Sequence, residues 1–277
     1  MKISATLAPQ APLRAPTLLR GGLVRGVYRA AELGFDGVEL QCKLPGQIDV
    51  PGLKRALAET GLTVSALATG TIYTQDGVSL ISDDAEVCAE ARRRLMAYVD
   101  LADELGGKVI VGCARGNLCP EDSLTAMEAR LADNLRPVLA YAAKHGQTVV
   151  LEAINHFENN YLQTAASCAD FLRRYELDGL ELLLDTYHMN LEEADQAGAI
   201  RTAGAKLGHF HLADNTRLAP GLGCYDFAAA LRALHETGYN GWLSFECAVG
   251  ENEDREAEAG LRHIRQLLAQ TCAGGNV

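Results

Sequence analysis

The sequence is short of positive charge. It carries 25 Lys and Arg against 36 Asp and Glu, a formal net charge of −11 over 277 residues. That balance argues against a nucleic-acid backbone or an anionic membrane as the main partner. Long hydrophobic runs are also missing. Nothing approaches the roughly 18 consecutive apolar residues of a membrane span. The apolar stretch between Met1 and Leu7 is too short for a secretory leader, and Pro9, Pro12 and Pro16 follow it. The eight cysteines (42, 88, 113, 119, 168, 224, 247 and 272) form no Cys-x-x-Cys pair. Scattered in a chain of this size, they predict reduced core thiols in a cytoplasmic protein rather than a disulfide framework. No Gly-x-Gly-x-x-Gly follows the first strand-like segment, which counts against a doubly wound dinucleotide-binding sheet. No linker, low-complexity tract or composition break divides the chain, so a single domain over 1–277 is expected.

What is present is a regular alternation. Strand-like segments fall at 2–7, 37–41, 63–68, 108–112, 149–152, 180–185, 207–212 and 241–246. Helix-like segments separate them, at about 21–33, 51–60, 83–105, 121–145, 165–176, 193–203 and 226–237, with a last one at about 252–270. Gly34, Gly61 and Gly146 follow three of these helices, and Asp83 and Asp84 stand ready to cap another. Residues 69–77 read as a loop. Eight βα units in a chain with 48% hydrophobic residues fit a (β/α)8 TIM barrel, with chemistry at the C-terminal strand ends.

Four of those strand ends carry polar groups: Glu152, Asp185, His211 and Glu246. Each alone has a bland explanation. A strand-end Glu is ordinarily a solvated rim residue, Asp185 can be a helix N-cap, and His211, like His209 two residues away, can be a satisfied core histidine. Together they interrupt four apolar strands at equivalent positions, which predicts one site. Three carboxylates and an imidazole suit Mn²⁺, Mg²⁺ or Co²⁺ better than a structural zinc ion. Glu152 and Glu246 lie nearly across the mouth of a closed barrel. A metal holding a ketose carbonyl would acidify the adjacent C–H and stabilise an enediolate. One carboxylate on each face would invert that carbon, whereas one carboxylate acting twice would give an aldose–ketose isomer. His188, Glu158, Arg217 and Arg115 are candidate substrate contacts, the last two as donors to hydroxyls or a carboxylate.

Four segments at these residues carry a family resemblance: Glu152-Ala153-Ile154-Asn155-His156-Phe157-Glu158, Asp185 to Glu193, His209 to Arg217 with Pro220-Gly221-Leu222-Gly223, and Ser244-Phe245-Glu246-Cys247. There, and over nearly its whole length, the chain resembles the xylose isomerase-like TIM-barrel superfamily. Within it, the chain looks most like the D-tagatose 3-epimerase group. The resemblance implies one divalent metal, usually Mn²⁺, on Glu152, Asp185, His211 and Glu246; Mg²⁺, Co²⁺ and Zn²⁺ are the alternatives. It implies Glu152 and Glu246 as the acid–base pair, and substrate contacts from Glu158, His188 and Arg217. His156 departs from the group, which usually carries Arg after Asn155. Ala68 to Leu80, together with Val111 to Gly116, looks like the branch containing 5-keto-L-gluconate epimerase, so Arg115 would face a sugar carboxylate.

The expected partner is therefore a small sugar or keto-sugar acid, with no nucleic acid and no membrane. The relatives' habit of forming a homodimer or homotetramer comes with the resemblance, and no residue selects between them. Three other readings compete: an aldose–ketose or hydroxypyruvate-type isomerase, an endonuclease-IV-like phosphodiesterase, and a non-catalytic sugar-binding barrel. The phosphodiesterase would need a larger set of zinc-binding histidines and a basic groove. The chain has seven His, only His188, His209 and His211 near the mouth, and the wrong net charge.

Overall fold

A computed structural model describes residues 1–12, 14–250 and 252–273. Nine strands form one parallel sheet: β1 (Lys2–Ala8), β2 (Leu19–Arg20), β3 (Gly37–Gln41), β4 (Thr63–Ala68), β5 (Lys108–Val111), β6 (Val149–Glu152), β7 (Leu180–Asp185), β8 (Leu207–Leu212) and β9 (Trp242–Phe245). The sheet closes because β1 pairs with β9, Lys2 opposite Trp242 and Ala5 opposite Phe245. Eight strands make the barrel wall. β2 is an extra two-residue strand laid on the end of β1. The fold is the expected (β/α)8 TIM barrel.

The strands are apolar because they are buried on both faces. Most buried side chains, from Leu7 to Ile264, form one layer between sheet and helices. A second, small cluster of Ala66, Ile110, Val150 and Leu183 fills the interior beside β4 to β7. Alternation along a strand then carries the same face outward. Val150 leads to Glu152, and Leu183 leads to Asp185. In register, Leu183 stands opposite His209 and Asp185 opposite His211, so the two imidazoles occupy successive layers of the interior. The ladder is irregular between Val38 and Glu39 and between Leu182 and Leu183. Such breaks re-aim the side chains that follow.

The helices begin and end where capping chemistry allows. Asp84 accepts from the backbone N–H of Glu86 to start Ala85–Leu105, and Gly34 closes Leu23–Leu33 at φ 90°. Two short helices lie outside the helix-like segments named from the sequence. Thr71–Asp76 lies inside the segment read as a loop, and Thr186–Glu192 follows β7 without a break. Six or seven residues make too few turns to print a 3.6-residue period. No described helix is long and apolar enough to cross a membrane.

Candidate metal and sugar site

Glu152 ends β6, Asp185 ends β7, His211 stands near the end of β8, and Glu246 follows β9 directly. The structure brings all four together, one ligand atom of each lying within 4.8 Å of the others. His211 Nδ1 is 3.5 Å from Glu152 Oε1, 3.5 Å from Glu246 Oε2 and 3.9 Å from Asp185 Oδ2. Glu152 Oε1, Asp185 Oδ2 and His211 Nδ1 are buried and have no hydrogen-bond partner. Buried polar atoms ordinarily find one. Three that converge without one, beside a fourth oxygen, fit a hard divalent cation. Asp185 also caps the helix that follows, accepting from Tyr187 N–H at 2.7 Å through Oδ1. The cap reading and the site reading are both true of Asp185, each through a different oxygen.

Charge crowding shows in the acidities. Burial pushes Glu152 upward, and Glu246 adds to it through like-charge repulsion. Burial likewise lifts Asp185 to about 7, against the pull of Arg217 and His211. For His211, burial opposes protonation, yet Glu39 and Glu246 outweigh it and hold the imidazole well above its ordinary value. Protons are drawn to this spot for the same reason a metal ion would be: several buried acceptors share one dry space.

The substrate-side candidates surround that spot. His188 Nε2 lies 3.6 Å from Glu152 Oε1 and 3.9 Å from Asp185 Oδ2. Its Nδ1 faces the Asn155 amide nitrogen at 2.6 Å, while Asn155 Oδ1 accepts from Phe157 N–H at 2.9 Å. The Asn155 amide therefore donates to His188, leaving the ring proton on Nε2, aimed into the site. Burial first, and Arg217 next, hold His188 well below its ordinary value, so it is neutral. Arg217 donates to Glu158 Oε1 at 2.5 Å and to Glu246 Oε2 at 3.3 Å, and its guanidinium stacks 4.6 Å from the Tyr187 ring centroid. It does so from φ 61°, a left-handed conformation that costs a non-glycine residue on the order of 1 kcal/mol and is commonest where function requires it.

Arg115 does not open onto the site as a free donor. It is fully buried. Its Nε donates to Asn159 Oδ1 at 3.0 Å, one terminal nitrogen to the Glu152 carbonyl, and the other to the carbonyls of Tyr161 and Leu162. Arg115 thereby ties the end of β6 to the backbone at 161–162, donating to carbonyls that lie inside the protein. His156, the departure from the family pattern, contacts Glu192 through both its backbone N–H and Nδ1.

Sequence reasoning passed over two residues here. Glu39, in the middle of β3, is fully buried against His209 and His211. Those rings hold its carboxylate well below the usual range, although burial alone would raise it. Gln41 donates to Glu246 Oε1 at 3.2 Å and to the carbonyl of Pro16 at 3.0 Å. For Glu39 the available signal was a charged residue in the middle of a strand buried on both faces; Gln41 carried none.

The chain resembles proteins already characterised. A family model described as xylose isomerase-like TIM barrel matches residues 27–267. An L-ribulose 3-epimerase from Mesorhizobium japonicum is 36% identical over 253 residues, covering 91% of this chain and 84% of the relative. A 3-dehydro-D-guloside 4-epimerase from Escherichia coli is 31% identical over 238 residues, covering 82% and 87%. Among solved structures, one of L-ribulose 3-epimerase superposes with TM-score 0.84 at 29% identity, over 98% of this chain and 96% of the other.

Proposed function

This chain belongs to the xylose isomerase-like TIM-barrel family and is a carbohydrate epimerase or isomerase, and from that premise we propose a divalent-metal-dependent epimerase of a free ketose, with Mn²⁺ as the first choice of metal. The carrying observation is the convergence of buried, partnerless acceptors on Glu152, Asp185 and His211 beside Glu246. A bound cation supplies Lewis acidity at the ketone and its neighbouring hydroxyl, making the C–H between them acidic.

The side chains supply the rest. Glu152 and Glu246 come from strands three positions apart around an eight-stranded barrel, nearly opposite one another. One takes the proton from one face of the sugar carbon, and the other returns a proton to the opposite face. His188, neutral and with its proton on Nε2, donates to a sugar hydroxyl. Glu158 and Arg217 orient the far side of the substrate, and their mutual ion pair keeps both in place.

A neutral ketose is favoured over a keto-sugar acid. Arg115, which made a carboxylated substrate attractive, is spent inside the wall, and Arg217 already faces Glu158 and Glu246. The relatives' names differ in the sugar and in the carbon inverted, so they carry the reaction class and not the substrate. We place the enzyme in the reducing cytoplasm, in keeping with the seven described cysteines, all free and four of them buried.

The test is proton NMR in D₂O with metal-loaded enzyme and a panel of ketoses, hexuronates and ketogluconates. Deuterium should enter at the carbon next to the ketone of a neutral ketose, together with appearance of its epimer, and chelator should stop both. No metal-dependent exchange on any member of the panel would sink the reading.

A further inference from the structure

Glu39 sits inside the barrel, one layer below the acceptor set. A single oxygen, Oε2, faces His209 Nε2 at 2.9 Å and His211 Nε2 at 3.1 Å. A carboxylate oxygen accepts from both, which puts the ring proton of each imidazole on Nε2. Once His211 gives up its second proton, as a metal ligand must, its lone pair is then on Nδ1. That is the atom facing Glu152, Asp185 and Glu246, and it has no hydrogen-bond partner. The two rings stand nearly perpendicular, 85° apart with centroids at 5.2 Å, so one oxygen can reach both nitrogens only with each ring in its present plane. Flipping the His211 ring would turn Nε2 away from Glu39 and leave a fully buried carboxylate short of a donor.

We propose that Glu39 is a positioning residue that fixes the tautomer and ring plane of His211, so that Nδ1 is presented to the metal, with His209 as the second donor that holds Glu39 in place. The inference rests on the metal reading of the site. A carboxylate on the far nitrogen of a ligating histidine also raises that ligand's basicity, and removing such a partner typically costs about 10–100-fold in metal affinity. Glu39→Leu removes the acceptor at similar size, and Glu39→Gln keeps an acceptor but not the charge.

The experiment combines titration calorimetry of the metal-free full chain with Mn²⁺ and long-range ¹⁵N–¹H spectra of histidine-labelled protein loaded with Mg²⁺ or Zn²⁺. In wild type, His211 should show a protonated Nε2 and a metal-shifted Nδ1. Glu39→Leu should weaken the Mn²⁺ dissociation constant by about 100-fold and Glu39→Gln by about 10-fold, with the His211 tautomer mixed in the leucine variant. A purely structural Glu39 would lower the melting temperature in both variants and move neither readout, which overturns the proposal. So would two ions per wild-type chain with one lost in Glu39→Leu, because Glu39 would then be a ligand. If the Glu39 variants do not fold, the wild-type spectrum still decides: a metal on Nε2, or a proton on Nδ1 in the loaded protein, overturns it. Absence of any divalent binding by wild type sinks the metal reading itself and this inference with it. Wild-type binding matched by both variants sinks the inference alone.

Discussion

Gly112 faces the Glu152 carboxylate so closely that a Cβ built on it would stand 2.7 Å from Oε2. The space in front of the proposed base is kept by the absence of a side chain one strand away. Gly112→Ala should move Glu152 without disturbing the barrel, because the obstructing atom is the tip of a flexible side chain. A displacement of about 1 Å is enough to cost on the order of 100-fold in turnover. Steady-state kinetics should show that loss with the melting temperature nearly unchanged. Wild-type turnover in Gly112→Ala would mean that Glu152 has no fixed catalytic position.

The two-base reading makes a sharper demand. Glu152→Gln and Glu246→Gln should each stop epimer formation while the circular dichroism spectrum is retained. A variant that still converted ketose to its epimer at the wild-type rate would remove that residue from proton transfer. A variant that lost epimerisation but kept deuterium exchange would show which glutamate takes the first proton.

Metal binding should depend on pH with a definite sign. Burial raises Asp185 from 3.8 to about 7, so in the metal-free protein its neutral form is favoured below about pH 7. A raised carboxyl contributes stability below its unfolded pKa that is lost as pH rises through the folded value. The cation needs the ionised form and competes with that proton. The rise in melting temperature on adding Mn²⁺ should therefore grow between pH 5 and pH 8, steepest at about 7. A metal-induced shift that is flat, or larger at pH 5, would contradict the assigned ligand set.

Arg115 should behave as a structural residue. Arg115→Met takes their Arg115 donor from the Glu152 and Tyr161 carbonyls and leaves the Leu162 carbonyl with the Cys168 thiol alone. Leaving buried acceptors unsatisfied costs about 1–3 kcal/mol each, so a loss of about 2 kcal/mol or more is expected in urea denaturation. A loss below about 1 kcal/mol, coupled to a raised KM, would return Arg115 to the substrate.

The barrel was legible from the chain because its signal is repeated. Eight apolar runs, each buried on two faces, alternate with helices whose caps can be named from Asp84 to Gly34. The convergence of Glu152, Asp185, His211 and Glu246 was legible for a related reason: in a closed parallel barrel, equivalent strand ends must meet. Arg115 misled because position after a strand says where the backbone goes, and not whether unsatisfied carbonyls across the gap will claim the side chain. The helices Thr71–Asp76 and Thr186–Glu192 were too short to carry a period.

What the sequence determined by itself was periodicity, and with it the fold, the rim on which polar side chains would gather and the hard-donor character of the set. Tertiary structure alone decided the contacts between residues far apart in the chain. Glu39 meets His209 and His211 across 170 and 172 positions. Gln41 reaches Glu246 across 205. Such pairs leave no local pattern, because their energy comes from desolvating and pairing charges that only barrel closure brings within about 3 Å.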